Sequence, residues 1–290
     1  MSYTDRRKPS LPQAVVEDWI NGATGAFSVR DIWHELGIES PDNKQYLRVI
    51  LSRLVQAGVI VHGSRDGTYR KVDSERKPID WQGTRHRPCV ALKFPFGLEQ
   101  HCRIRPKNVV IVAGEKNVGK TGFLYNFITM NMLDFTIDLF NSETGPEQMD
   151  ERMQPFGIPE PAPFGVFERY DNFADVIHPD HITVIDYLDF NSEVYLIGAE
   201  IDAIFRKLNQ GVAIIGIQKP PGRDLGYGGP FSAKRAALYI SMSSSRLKLL
   251  YVKTPANPKV NPNNMTWSFR IGEDGVTFEN IQRYYGQGEF

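Results

Sequence analysis

The segment GEKNVGKT, residues 114–121, constrains this chain more than any other feature of its sequence. It matches the phosphate-binding pattern G-x-x-x-x-G-K-[ST] in full. The apolar run VVIVAG, residues 109–114, predicts a buried strand before it, and GFLYNFITMNML, from residue 122 onward, predicts a helix after it. In such a unit, glycines let backbone N–H groups turn toward phosphate oxygens, and the helix N-terminus adds a positive dipole end. The sequence therefore predicts a nucleotide-binding domain of the α/β class.

The residues of this segment have separable roles in binding ATP and Mg²⁺. Lys120 would reach the β- and γ-phosphates, and the Thr121 hydroxyl would coordinate the metal ion. The candidate nucleotide-binding residues are Gly114, Glu115, Lys116, Asn117, Val118, Gly119, Lys120, Thr121 and Gly122. The alternative interpretation is a glycine-rich turn that holds no ligand.

A second strand pattern supplies the acid that a bound Mg²⁺ requires. The run HITVIDYLDF, residues 181–190, predicts a buried strand with Asp186 at its carboxyl end. Ligands bind at the carboxyl ends of the strands in parallel sheets, so Asp186 is the candidate metal ligand beside Thr121. Asp189 is the alternative, but it lies beyond the strand and is more typical of a loop or helix cap.

Two further predicted strands end in side chains that suit catalysis. The run FTIDLFNSET, residues 135–144, ends near Glu143, whose carboxylate would orient or deprotonate the attacking water. An acidic first turn of the next helix is the alternative role for Glu143, and Glu147 is one turn further away. The run GVAIIGIQ ends at Gln218, whose amide would report the state of the γ-phosphate to the loop that follows.

That loop, KPPGRDLGYGGPF at residues 219–231, predicts an exposed and mobile segment because it is rich in glycine and proline. It carries Lys219, Arg223, Tyr227 and Phe231. Cations combined with aromatic rings suit single-stranded DNA, since they attract its backbone and stack on its bases. A subunit contact or a lid is the alternative.

Residues 11–73 form a separate pattern of three helices followed by a hairpin. The helices are predicted at LPQAVVEDWI, SVRDIWHELG and NKQYLRVILSRLVQAG, and VIVHG and TYRKV flank the turn SRDG. This order is that of the winged helix-turn-helix, whose third helix enters the major groove of DNA while the hairpin touches the backbone. The candidate DNA contacts are Lys44, Arg48 and Arg53 on the third helix and Arg65 and Arg70 on the hairpin.

The charge distribution agrees with an anionic partner for the first part of the chain. The net charge is zero overall, but it is +6 over residues 1–110 and −6 over the remainder. A solvated basic face on a unit that binds protein is the alternative. The predicted organisation is therefore a winged helix-turn-helix domain at 1–73, a polar linker at 74–93 and an ATPase domain at 94–290.

Composition excludes several classes of protein. Hydrophobic residues at 41% and charged residues at 23% are typical of a globular protein rather than a disordered one. Apolar runs stay short of the roughly 18 residues of a membrane span, so no membrane partner is expected. The N-terminal MSYTDRRKPSLPQ lacks the apolar core of a secretory signal, and Cys89 and Cys102 fit no disulfide framework. We therefore expect a cytoplasmic protein.

Four segments, taken in order, resemble a known family. VVIVAGEKNVGKT, LFNSETGPEQMDERM, VIDYLDF and IIGIQ are similar to the RecA-like core of DnaB-type replicative helicases and their KaiC and RadA relatives. The resemblance covers roughly residues 94–270 and implies a mainly parallel sheet flanked by helices. It also implies a ring or filament with ATP at subunit interfaces, DNA in a central channel and the segment after Gln218 as the DNA-binding loop. The same roles then follow for Lys120, Thr121, Glu143 and Asp186.

The chain departs from that family in two places. The family supplies a lysine and an arginine, two residues apart, to the site of the neighbouring subunit. Lys253 matches the lysine, but Pro255 stands at the arginine position, and Arg246, Lys248 or Arg270 are the alternatives. The second departure is the winged-helix pattern, which replaces the helical collar domain of those helicases.

Two functions follow from these patterns. The first is an oligomeric, Mg²⁺-dependent ATPase that acts on DNA, as a helicase, strand-annealing or recombination protein of a phage, plasmid or mobile element. The second is a slow regulatory ATPase whose N-terminal unit recruits DNA or a protein, and Pro255 favours it. A small-molecule kinase is a third class, for which the sequence offers no substrate-phosphoryl site.

Overall fold

The computed structural model of the protein describes residues 11–73, 76, 78–188 and 196–286. The chain divides into two compact units, Met1–Arg85 and His86–Phe290. The division lies inside the segment 74–93 that the sequence predicts as a linker. Leu92, near the end of that segment, is 3% exposed and belongs to the core of the second unit. The second unit therefore begins earlier than residue 94.

The first unit contains three helices and a small antiparallel sheet. The helices are α1 (Gln13–Gly22), α2 (Val29–Glu35) and α3 (Pro41–Gln56), and the strands are β1 (Ala26–Ser28), β2 (Ile60–His62) and β3 (Thr68–Lys71). The strand order is β1-β3-β2. The three helices and the hairpin match the sequence prediction, whereas the short strand β1 was not predicted. It joins the hairpin by pairing with β3.

Local capping fixes where α2 and α3 begin. The Ser28 hydroxyl accepts a hydrogen bond from the Asp31 backbone N–H at 3.3 Å, and the Asp31 carboxylate accepts one from the Ser28 N–H at 2.6 Å. At the start of α3 the Ser40 hydroxyl accepts one hydrogen bond, from the Asn43 backbone N–H at 3.2 Å, and Pro41 occupies the first helical position. Apolar residues then meet in one core: Val16, Ile20, Phe27, Ile32, Ile38, Leu47, Ile50, Leu51, Leu54 and Ile60.

The second unit is built on one large sheet. Its strands are β4 (Val109–Gly114), β5 (Ile137–Asn141), β6 (Gly165–Glu168), β7 (Ile182–Leu188), β8 (Val212–Gln218), β9 (Ala236–Ser243), β10 (Arg246–Val252), β11 (Thr266–Ile271) and β12 (Phe278–Tyr284). In the described part of the chain their order is β12-β11-β10-β9-β4-β8-β7-β5-β6. The strands from β9 to β6 are parallel, and β10, β11 and β12 continue the sheet in antiparallel pairing.

Helices cover both faces of this sheet. They are α4 (Lys120–Asn131), α5 (Pro146–Met153) and α6 (Ile197–Lys207), with short 3₁₀ turns at Pro95–Gln100, Gln154–Phe156, Phe173–Asp175 and Gly229–Ala233. The side chains of β4 alternate, as a strand with both faces buried requires. Val110 and Val112 pack in the core that contains α4, while Val109, Ile111 and Ala113 pack in the core that contains α6. The unit is thus a mixed α/β structure with a mostly parallel sheet flanked by helices.

The register of the parallel strands brings their carboxyl ends to one edge of the sheet. Gly114 at the end of β4 lies opposite Gln218 at the end of β8, and Asn141 at the end of β5 lies opposite Asp186 of β7. Asp186 was predicted to end its strand, but β7 continues to Leu188. Asp189, the alternative acid, lies outside the described residues. No helix of the described ranges is long and apolar enough to cross a membrane.

A pair of neighbouring residues on α3 tests the packing of the first unit. Ile50 is fully buried, whereas Val49 is 41% exposed. We expect Ile50→Ala to lower the free energy of unfolding of this unit by about 2–5 kcal/mol, because the deletion leaves a cavity in a small core. Val49→Ala should lower it by less than about 1 kcal/mol. Urea denaturation of both variants measures the difference, and equal losses would contradict this packing.

Candidate functional site

A pocket of about 420 Å³ opens at the edge of the sheet where the parallel strands β4, β5, β7 and β8 end. The loop after β4 forms its floor, and the turn between β11 and β12 forms one wall. The pocket brings together most of the predicted site residues: Glu115, Lys116, Asn117, Gly119, Lys120, Thr121, Gly122, Glu143 and Gln218. Tyr187 and Arg152, which the sequence analysis did not single out, also line it.

The loop between β4 and α4 is shaped by left-handed backbone and close packing. Asn117 has φ of 60° and Gly119 has φ of 87°, a region that favours glycine. A Cβ atom on Gly119 would also lie 3.0 Å from Ile271 Cδ1, so a larger residue would crowd that side chain as well as strain the backbone. Gly119 precedes α4, and no side chain of the described residues caps its first N–H groups. Those groups remain available to an anion at the pocket.

The turn between β11 and β12 is fastened to the start of α4. The Asn126 side-chain amide donates hydrogen bonds to the Val276 carbonyl at 2.8 Å and to the Gly122 carbonyl at 2.7 Å. A Cβ atom on Gly122 would lie 3.2 Å from the Val276 backbone, so the turn and the helix approach more closely than a side chain would allow. This wall of the pocket therefore keeps a fixed position relative to the phosphate-binding loop.

Lys120 is 9% exposed and lies at the start of α4. Its Nζ atom is 4.6 Å from the centre of the Tyr187 ring, which holds the ammonium by a cation–π contact. No carboxylate among the described residues forms an ion pair with it. The Lys120 ammonium therefore lines the pocket with its charge available to bind an anionic ligand.

Asp186 is fully buried beneath the pocket. Burial raises the pKa of its carboxyl group to about 6, and the neighbouring Lys120 ammonium opposes that shift. The Thr121 hydroxyl lies near enough to lower the pKa as well, yet neither carboxylate oxygen has a hydrogen-bond partner of normal geometry within the described ranges. A buried carboxylate without partners is unfavourable unless a cation or donor satisfies it.

The residues present fit a magnesium ion. The Asp186 carboxylate and the Thr121 hydroxyl are oxygen donors, the type of ligand that Mg²⁺ prefers. Within the part of the chain that the structure describes, no group of three or more His, Cys, Asp or Glu side chains could hold a metal by itself. An ion here would need phosphate oxygens as further ligands, as Mg²⁺ uses in nucleotide sites.

Asn141 shapes the turn that carries Glu143. Its side-chain oxygen accepts hydrogen bonds from the backbone N–H groups of Glu143 and Thr144, each at 3.2 Å. The Ser142 hydroxyl donates to the Tyr187 carbonyl at 2.7 Å and ties this turn to β7. The sequence analysis missed both residues, although polar residues at the end of a buried strand were a usable signal. Their hydrogen bonds place Glu143 at the pocket, while Glu147 lies outside its lining.

Arg152 brings a second cation to the pocket from the last turn of α5. It is half-buried, and its charge acts to lower the pKa of Asp186. No ion pair to Arg152 occurs in the described segments. Its position in the sequence gave no sign of this role, since only the docking of α5 turns that side chain toward the pocket.

Lys253 lies far from this pocket along the sheet. It follows β10, which runs antiparallel to β9, and its backbone N–H donates to the Ala237 carbonyl near the start of β9. Since β9 is parallel to β4, Lys253 is at the opposite edge of the sheet from the phosphate-binding loop. A role for Lys253 in hydrolysis would therefore require the pocket of another subunit.

The alternatives for the missing arginine all have partners within the chain. The Arg246 guanidinium lies over the Tyr284 ring, Lys248 forms an ion pair with Asp224 at 2.8 Å, and Arg270 forms one with Glu279 at 3.1 Å. Pro255 is held in a bridge to Cys102. None of the described cations at these positions reaches the pocket.

The predicted nucleic-acid residues divide by exposure. Arg223 is exposed, Tyr227 is 40% exposed and Phe231 is 59% exposed. Lys219 differs from the prediction, because its side chain is only 1% exposed and is surrounded by oxygen acceptors. A lysine in that position does not contact a strand outside the protein, so the expectation for Lys219 is corrected.

In the first unit, the predicted DNA contacts lie on the surface of α3 and the hairpin. Arg48, Arg53, Arg65 and Arg70 are exposed. Lys44 is half-buried, with its Nζ atom 5.0 Å from the centre of the Trp33 ring. The four arginines are therefore accessible to a partner, and Lys44 is partly engaged within the unit.

No protein-family model matches this chain, and no curated protein matches it either. The functional argument accordingly rests on the geometry of the pocket and on the chemistry of its residues.

The raised pKa of Asp186 predicts a pH-dependent effect of its substitution. A carboxyl group whose folded pKa is above its unfolded pKa favours folding at low pH and loses that contribution as the pH rises through about 6. Asp186→Asn removes the ionisation, so it should stabilise the unliganded protein more at pH 8 than at pH 4.5.

The difference between the two pH values should be about 2 kcal/mol in the free energy of unfolding. Thermal melts of wild type and variant at both pH values measure it. A stability difference that does not change with pH would contradict the buried, uncompensated position of Asp186.

Proposed function

We propose that this protein is a Mg²⁺-dependent ATPase with a RecA-like core. The observation that carries the proposal is that Lys120, Thr121 and Glu143 line one pocket at the carboxyl edge of the parallel strands, with the Asp186 carboxylate buried close to all three. These residues come from three separate segments of the chain. The combination of a phosphate-binding loop, a metal-binding acid and a second carboxylate is what hydrolysis of a nucleoside triphosphate requires.

In this proposal the phosphates of ATP lie at the N-terminus of α4. The free N–H groups of that turn and the Lys120 ammonium bind the β- and γ-phosphates. Thr121 and Asp186 would hold Mg²⁺, which would neutralise charge on the phosphate oxygens. Glu143 orients the attacking water and accepts its proton, and Gln218 hydrogen-bonds near the terminal phosphate.

Arg152 would stabilise the charge that develops on the γ-phosphate. In the helicases that this sequence resembles, a neighbouring subunit supplies the arginine that stabilises this charge. Pro255 stands at the position of that arginine here. Arg152 lies on the same chain's pocket and has no carboxylate partner among the described residues. Because Arg152 already lies in the pocket of its own chain, hydrolysis would depend less on a cation from a neighbouring subunit.

We further propose that DNA is the partner of this ATPase and that the protein acts as a helicase, strand-annealing or recombination protein. Arg223, Tyr227 and Phe231 offer a cation and two exposed rings to a single strand. The first unit would act as a winged helix, with the exposed arginines of α3 and the hairpin on duplex DNA. Lys253 would serve the pocket of a neighbour in an oligomer.

A slow regulatory ATPase remains the second candidate function. The observation that favours it is Pro255 itself, which stands at the arginine position and forms a β-bridge with Cys102. Nucleotide would then control assembly, and the first unit would recruit DNA or a protein.

Substitution of the carboxylate at the pocket tests the assigned chemistry. We expect Glu143→Gln to bind ATP normally but to hydrolyse it about 100-fold or more slowly, because the water loses its base. Lys120→Ala should weaken ATP binding about tenfold or more, since a charge-assisted contact to phosphate is lost. Fluorescent-nucleotide titration and phosphate release measure the two effects.

Glu147→Gln is the matched control for this experiment. Glu147 is exposed on α5 and does not line the pocket, so its substitution should leave hydrolysis within about twofold of wild type. Normal turnover by Glu143→Gln would remove the assignment of Glu143 as the catalytic carboxylate.

The DNA partner is tested by measuring hydrolysis without DNA, with single strands and with duplex, at two salt concentrations. We expect stimulation by single strands that weakens as salt rises, since phosphate contacts release counterions. Tyr227→Ala should raise the strand concentration for half-maximal stimulation about tenfold, because one base loses its stacking partner.

Tyr170→Ala is the matched control, because it removes another exposed ring that lies outside the 219–231 segment. It should not change the concentration of single strands that gives half-maximal stimulation. Slow hydrolysis that is indifferent to DNA would favour the regulatory ATPase instead.

A further inference from the structure

Lys219 is an ammonium group that the fold buries at the base of segment 219–231. Its Nζ atom donates hydrogen bonds to the Arg223 carbonyl and to the Ser243 hydroxyl, both at 2.7 Å. The third neighbour is a carboxylate oxygen of Glu115, at 3.4 Å. A buried charge is stable only when it is paired and hydrogen-bonded, so these three oxygens hold the side chain in place.

Glu115 lines the nucleotide pocket and also contacts segment 219–231. It is the second residue of the phosphate-binding motif and lines the pocket. Its carboxylate faces Lys219 and lies 3.4 Å from the Gly222 backbone N–H. A carboxylate so near the phosphate site would repel a triphosphate unless a cation neutralised it, and Lys219 is the cation in contact with it.

The rest of segment 219–231 is anchored independently of this pair. The Tyr227 N–H donates to the Gln218 carbonyl at 2.9 Å, and the Gly226 N–H donates to the Tyr239 hydroxyl at 2.8 Å. These bonds hold the segment at residues 226 and 227. The stretch 220–225 is therefore tied to the phosphate-binding loop through Lys219 and Glu115.

We propose that Lys219 is a positioning residue that couples the nucleotide pocket to segment 219–231 through Glu115. The inference rests on the proposed function, because it takes the ligand of the pocket to be a nucleoside triphosphate. The charge of the bound phosphates changes the electrostatic balance at Glu115 and so the contacts that Lys219 and Gly222 make with it. By linkage, a partner bound to the exposed side of the segment changes nucleotide affinity by the same factor.

Hydrogen exchange of the full-length protein tests this coupling. Exchange in residues 219–231 is measured by mass spectrometry with and without Mg²⁺ and a non-hydrolysable ATP analogue, at concentrations that saturate each variant. In wild type, we expect nucleotide to change the exchange rate of the 220–225 stretch at least threefold. In Lys219→Met and in Glu115→Gln, the change should fall below 1.5-fold.

Nucleotide affinity provides a second readout. Lys219→Met should weaken binding of the analogue at least fivefold, because Glu115 is left with an uncompensated charge. The double variant Glu115→Gln/Lys219→Met should recover to within twofold of wild type. A lysine that only supports the fold would not produce this recovery.

Lys248→Met is the matched control. Lys248 also binds this segment, through Asp224 at 2.8 Å, but that ion pair does not involve Glu115. In Lys248→Met, both the nucleotide-dependent change in hydrogen exchange of residues 219–231 and the affinity for the ATP analogue should equal those of wild type. If Lys219→Met does not fold, as judged by circular dichroism, Glu115→Gln carries the test, because it leaves Lys219 with its two hydrogen bonds.

Each remaining outcome decides between the two proposals. If wild type binds the analogue but exchange in the segment does not change, the coupling is overturned and the ATPase proposal stands. A full response in Lys219→Met or Glu115→Gln also overturns the coupling. If wild type binds no nucleotide, the proposed function is wrong and the inference falls with it.

Discussion

The parallel register of β4, β5, β7 and β8 is the constraint on which the candidate site depends. It sets Gly114 opposite Gln218 and Asn141 opposite Asp186, so that strands far apart in sequence end at one edge. Backbone hydrogen bonds between buried strands allow little sliding, because a shift of one residue would turn every buried side chain to the other face. The pocket therefore takes its shape from the core beneath it.

Electrostatics at that edge follows from burial. Asp186 has no solvent contact, and the cations nearest to it come from α4 and α5, at Lys120 and Arg152. The unliganded protein thus holds a carboxylate in an unfavourable environment, which a bound cation would relieve. Functional sites commonly keep such groups at a cost in stability. The same reasoning applies to Glu115 and Lys219, where a buried ammonium compensates an acid beside the phosphate-binding loop.

Much of the second unit could be predicted from sequence alone. Apolar runs gave β4, β5, β7 and β8, and the glycine pattern gave the phosphate-binding loop, because these features are local and periodic. Less could be predicted of β6 and of the neighbouring strands β9 and β10, whose patterns resemble many other segments. The place of Asp186 in β7 was predicted two residues too close to the strand end.

The sequence by itself determined which residues carry the phosphate chemistry, since G-x-x-x-x-G-K-T specifies backbone shape and side chains within one continuous segment. It also determined the start of α2 at Ser28, where the cap acts over three residues, whereas α3 begins two residues before the predicted helix. Only the tertiary structure decided that Arg152 faces the pocket and that Lys219 is buried against Glu115. Those outcomes depend on how segments tens of residues apart pack together, and exposure and pairing arise only when that packing forms.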